Sequence, residues 1–113
     1  MKLPQIIEKL QLEVRTGENS LDIDIKRGYA SDLMSDVMAN ANEGDLWVTL
    51  QIHQNIVAVA VMKSIAGIIL VNGREPEAET IRKAKAEEVP IMISTMPTFE
   101  LVGNLFKLGI TGT

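Results

Sequence analysis

"IVAVAVMKSIAGIILV", residues 56 to 71, decides the fold class, because its two halves ask for different structures. The second half, "GIILV", is short, wholly apolar and rich in β-branched side chains, the mark of a strand covered on both faces. Such strands belong to parallel sheets, and parallel neighbours need a crossover between them. The first half must supply it. Valine alternating with alanine makes a strand a real competitor there. Asn55 as a cap and the need for a crossover favour a helix through residues 56–66.

The same alternation of strand and helix extends in both directions. Towards the N terminus, "DLWVTLQ" has the Trp, Val and Thr content of a strand over residues 46–51. Before it, "SDLMSDVMANANEG" reads as a helix capped by Ser31 and closed by Gly44, with Leu33, Met34, Val37, Met38 and Ala41 on one side. "LDIDIK" alternates Leu21, Ile23 and Ile25 with Asp22, Asp24 and Lys26, which predicts a border strand with one wet face. A short helix from Pro4 to about Leu10 and a strand "LEVRT" open the chain.

Towards the C terminus, "REPEAETIRKAKAEE" predicts a surface helix with Pro76 near its start and a narrow stripe of Ala78, Ile81 and Ala84. "VPIMIS" is a buried strand centred on residues 91–93. A last helix starts at Thr95 or Thr98, carries Phe99, Val102, Leu105 and Phe106 on one face, and ends at Gly109. Strand then helix, repeated, predicts an α/β fold: a single domain over residues 1–113, with a mostly parallel sheet and flanking helices.

Composition removes several functional classes. The net charge is -4 and no Lys/Arg cluster stands out, so nucleic-acid binding lacks its electrostatic footprint. No cysteine is present, which excludes disulfides, thiolate catalysis and cysteine-based metal ligation. The N-terminal residues meet charge too early for a secretion signal, and the apolar run 56–71 is broken by Lys63 and Ser64, short of a membrane span. A soluble cytoplasmic protein is expected, without a cofactor or metal. The helix over residues 56–66 is apolar nearly all round, so it is either sandwiched centrally or meets a partner. A homodimer is the working expectation.

In an open α/β sheet, ligands sit beyond the carboxyl ends of the strands. Those ends carry His53 and Asn55; Asn72, Gly73 and Arg74; Ser94 and Thr95; and, from the loop after "LDIDIK", Ser31 and Asp32. Together these nine residues form the candidate site for a small anionic or nucleotide-like ligand. "NGREP" reads equally as a phosphate turn or as an ordinary strand-to-helix connection. His53 has no carboxylate or nucleophile at a telling spacing, so a general base or metal ligand is disfavoured. No Walker loop, G-x-G-x-x-G fingerprint or Ser/His/Asp arrangement is present, and catalysis has no visible machinery.

The stretch "GYASDLMSDVMANANEGDLWVTLQIHQNIVAVAVMKSIAGIILVNGREP" resembles the DRTGG domain family, a likeness running from Gly28 to the final helix. It is closest to short, free-standing members, associated with gene neighbourhoods of iron-only hydrogenases, and is similar to the non-catalytic N-terminal domain of HPr kinase. The resemblance implies a regulatory or interaction module, often dimeric, without catalysis of its own. At the family's Asp-Arg stand Ile52 and His53, and at Thr-Gly-Gly stand Val71, Asn72 and Gly73, of which only Gly73 matches. Two rival functions are a phosphotransferase-related enzyme using His53, and a purely structural adaptor for a protein partner.

Overall fold

A computed structural model describes the chain from Met1 to Thr113. Its elements are α1 (Leu3–Leu10), β1 (Glu13–Thr16), β2 (Gly28–Ala30), α2 (Met34–Asn40), β3 (Leu46–Thr49), α3 (Asn55–Lys63), β4 (Gly67–Leu70), α4 (Ala78–Glu87), β5 (Ile91–Ile93) and α5 (Thr98–Lys107). One five-stranded sheet runs in the order β1-β5-β4-β3-β2. Four strands are parallel, and β1 alone is antiparallel, against β5. The expected α/β fold with a mostly parallel sheet is what forms.

Every residue of β3, β4 and β5 is buried, because both faces of the sheet are covered. The strands advance in sequence order across the sheet from β2 to β5, and their three connections α2, α3 and α4 share one face. Trp47, Ile56, Ile68, Leu70, Ala84 and Ile91 pack there. On the other face α1 and α5 enclose Leu3, Ile6, Val48, Ile69, Met92 and Leu101. The residue 56–66 segment is thus a helix in the sandwiched position, flanked by α2 and α4, with Ile56, Val57, Val59 and Ala60 buried. It ends earlier than expected, at Lys63, because Ser64 turns left-handed (φ 52°).

The segment "LDIDIK" is not a strand of the sheet. Ile25 is buried and the acids point outward as the alternation requires, yet its backbone serves the N terminus: Leu3 N–H donates to Ile23 O (2.9 Å) and Ile25 N–H to Met1 O (2.8 Å). The border strand is β2, which pairs in parallel with β3 from Gly28↔Leu46 to Ala30↔Val48. Several ends also differ from expectation. The N-cap of α2 is Leu33 and its last residue Asn40, so neither Ser31 nor Gly44 bounds it. The buried stripe of α4 is Thr80 and Ala84, with Ala78 exposed and Ile81 half-buried. In α5 the core positions are Leu101 and Leu105, whereas Phe99 and Phe106 face outward.

β1 joins β5 through a register shift between Val14 and Thr16. Thr16, fully buried, bridges the irregularity: its hydroxyl donates to Val89 O (2.8 Å) and accepts Ile91 N–H (3.0 Å). Gly17 follows at φ +78°, where a Cβ would lie 2.6 Å from Pro90 Cα. Both the backbone angle and the space demand glycine there. Gly17→Ala is therefore expected to lower stability by roughly 2 kcal/mol or more in urea denaturation at neutral pH, with an unchanged midpoint contradicting the packing of β1 on Pro90.

Candidate functional site

Parallel order sends the exits of β2, β3, β4 and β5 to one rim, and hydrogen bonds between the exits hold them there. After β2, Asp32 Oδ1 accepts from the Thr49 hydroxyl (2.9 Å) and from Leu50 N–H (2.7 Å), while Gln51 Nε2 donates to Asp32 O (3.0 Å). After β3, Ile52 O accepts from Glu77 N–H (3.2 Å) and from the Thr80 hydroxyl (2.7 Å), which joins this loop to the start of α4. After β4, Asn72 N–H donates to Met96 O (2.9 Å) and Gly73 N–H to Ser94 O (2.8 Å), joining that turn to the exit of β5.

All nine residues anticipated from the sequence fall on this rim, but they differ in what they have free. Ser31 Oγ accepts Leu33 N–H, its carbonyl accepts the Trp47 indole N–H (2.9 Å), and Asp32 is engaged as above. Ser94 is buried, and its Oγ accepts Met96 N–H (3.1 Å). These three positions shape the loops. His53 is exposed, and its Nδ1 accepts Asn55 N–H (3.2 Å) at the start of α3, which leaves Nε2 facing outward. Asn55 thus receives a cap from His53 rather than giving one.

The turn at residues 72–74 resolves the two readings of "NGREP". Asn72 and Gly73 both adopt positive φ (57° and 65°), and Arg74 N–H donates to Val71 O (3.1 Å). All three N–H groups are spent on carbonyls of the chain, so the turn is a strand-to-helix connection and its backbone does not cradle a phosphate. What remains open on the rim is side-chain chemistry: those of Asn55, Asn72, Arg74 and Thr95 are exposed and make no hydrogen bond within the chain. Of the four arginines, Arg15, Arg27 and Arg82 are in ion pairs, and Arg74 is not.

One part of the rim is invisible in the sequence. Arg15, on the antiparallel β1, grips Glu75 with two hydrogen bonds of 2.8 and 2.6 Å and also reaches Glu13. Sixty positions separate Arg15 from Glu75, and no local pattern links them. The Arg15 hydrogen bonds hold the Glu75 carboxyl below its ordinary value, and the two carboxylates hold the guanidinium more firmly protonated. The rim carries no cavity of its own. A cavity of about 520 Å³ opens beside it between α3 and α4, walled by Asn55, Val57, Val61, Lys83 and Glu87. Nowhere do three His, Asp or Glu side chains converge as a metal would require, and no helix is long and apolar enough to cross a membrane.

A family model described as the DRTGG domain matches residues 5–108. The chain belongs to the DRTGG domain family. Its fold is also that of a solved structure, the CBS and DRTGG domains of the regulatory region of Clostridium perfringens pyrophosphatase, complexed with the activator diadenosine tetraphosphate. The two align with a TM-score of 0.70 over 90% of this chain and 44% of that one, at 16% identity, so this DRTGG chain spans under half of that regulatory region and shares its fold. No curated protein matches. The two places where the name-giving residues of the family were expected, Ile52–His53 and Val71–Asn72–Gly73, are the exits of β3 and β4.

A depressed carboxylate contributes stability that is present above the unfolded value and lost as pH falls through the folded one. For Glu75 that window lies below about pH 4. Urea midpoints measured from pH 7 to pH 3 are expected to fall less steeply for Glu75→Gln than for the parent, and identical slopes would show that the Arg15–Glu75 clamp does not form in solution.

Proposed function

We propose that this DRTGG domain is a non-catalytic regulatory module, acting as a homodimer in the cytoplasm, that senses a small anionic or nucleotide-like ligand through side chains on its carboxyl rim. The observation that carries the reading is Arg74: an exposed arginine outside every ion pair of the chain, on the same rim as the free side-chain amides of Asn55 and Asn72 and the Nε2 of His53. A guanidinium offers a planar fork suited to phosphate or carboxylate. Two acids of the rim are already engaged, Glu75 by Arg15 and Asp32 by Thr49 and Leu50.

The occupied backbone donors have a consequence for affinity. With the N–H groups of residues 72–74 spent within the chain, binding leans on side chains and falls short of that of a phosphate loop. His53 stands where the family pattern has a permanent cation, which further favours a ligand of modest charge. The dinucleotide polyphosphate bound by the Clostridium perfringens regulatory region supplies the first probe to try. A protein partner, for which the resemblance suggests a hydrogenase-type system, would read the ligand-bound state.

Thermal unfolding and calorimetric titration with diadenosine tetraphosphate, ATP, AMP and inorganic phosphate test the proposal on the parent, His53→Ala and Arg74→Ala. One of the nucleotides is expected to raise the unfolding midpoint, and Arg74→Ala to weaken its binding by about tenfold or more. If no probe shifts the midpoint, or both variants bind as the parent does, the rim is not the site. Stable label on His53 after incubation with labelled ATP or acetyl phosphate would replace this reading with a phosphotransferase one.

A further inference from the structure

Helix α5 presents a second apolar stripe that the fold leaves bare. Leu101 and Leu105 face the core, while Phe99, Val102 and Phe106 are 88%, 38% and 66% exposed. With Gly103 they occupy the i, i+3, i+4, i+7 positions of one helix face. Phe106 and Val102 also wall an apolar cavity of about 260 Å³ with Tyr29 and Ile110 beside the edge strand β2. A contiguous exposed surface of this kind marks an interaction site.

Gly103 says what kind of partner. In mid-helix a glycine costs about 1 kcal/mol relative to alanine, and within the chain nothing lies within 4 Å of the Cβ it lacks. Folding of the single chain therefore gives no reason for glycine there. Close approach of another backbone does.

The charges beside the stripe say which partner. Glu100 and Lys107 are both exposed, neither is in an ion pair, and they lie seven positions apart, the same spacing as Phe99 and Phe106. A two-fold axis at Gly103 that sets two α5 helices antiparallel brings the Phe99–Glu100 step of one copy opposite the Phe106–Lys107 step of the other. Phe99 of one copy meets Phe106 and the mouth of the cavity on the other, and Glu100 meets Lys107. In a parallel two-fold pair the flank carrying Glu100 and Lys107 falls on opposite sides of the seam in the two copies, so neither charge meets its complement. Self-complementarity under a two-fold axis is what an isologous interface requires.

We propose, building on the homodimer reading above, that a second copy of this chain covers α5 in an antiparallel, two-fold pairing centred on Gly103. The helix from Asn55 to Lys63, the other apolar helix, packs between α2 and α4, and of its large apolar side chains only Val61 and Met62, near its end, are exposed. The bare face of α5 is longer, running from Phe99 to Phe106.

The absence of cysteine makes the register directly testable. Glu100→Cys and Lys107→Cys chains are mixed at equal concentration and oxidised mildly. Within one chain the two positions lie about 10 Å apart along the helix, too far for a disulfide. The expected product is a mixed cross-linked dimer in excess of either chain linked to itself. Sedimentation is run alongside on Val102→Glu and Gly103→Leu. Each is expected to weaken the dimer by about tenfold or more at unchanged helix content. A monomer at all concentrations would overturn both the pairing and the homodimer reading. A dimer that resists both substitutions, or that links like positions instead of 100 to 107, would overturn the pairing through α5 and leave the homodimer reading standing on another face.

Discussion

The parallel ladder of β3, β4 and β5, covered on both faces, is the constraint from which the rest follows. Its strands expose no side-chain face to water, so each must be entered and left through loops at the two edges of the sheet. Since α2, α3 and α4 all return over the same face, every strand from β2 to β5 runs the same way and every exit lands on one rim. Polar residues that are scattered along the sequence become neighbours for this reason alone. β1 runs against β5 and brings its own residue, Arg15, to the same neighbourhood from the opposite direction.

The rim that results is both rigid and selective in what it offers. Carbonyls and N–H groups of adjacent exits satisfy one another, through Asp32 to Leu50, Ile52 to Thr80, and Asn72 and Gly73 to residues 94–96. Buried or crowded backbone groups are thereby paired, as a stable fold requires. At the residue 72–74 turn the same pairing uses up the backbone donors that a phosphate loop would offer. Under the proposed function, recognition would fall to the exposed tips of Arg74, Asn72, Asn55, Thr95 and His53.

Much of this was legible in the sequence because burial on both faces leaves a direct trace: "GIILV" and "VPIMIS" are apolar without alternation, and a crossover must separate them. Positions of loops follow from positions of strands, so the nine rim residues were legible too. Two kinds of information were not. Alternation in "LDIDIK" reports which side is buried but not which backbone serves as partner, and the partner is the N-terminal segment, not the sheet. A 3.6-residue period likewise cannot rank two apolar stripes on one helix. On α5 the aromatic stripe looks like core, yet Leu101 and Leu105 take that place and Phe99 is left exposed. Long-range charge pairing, as between Arg15 and Glu75, leaves no local mark at all.

The proposed function requires the four parallel exits to form one ligand-facing edge. Amide chemical shifts recorded while ATP is added to the uniformly labelled protein test it residue by residue. Shifts are expected to concentrate at residues 31–32, 53–55, 72–74 and 94–96, with the opposite edge around Gly44 and Gly17 unmoved. Shifts confined to that opposite edge, or to the outer faces of the helices, would contradict it.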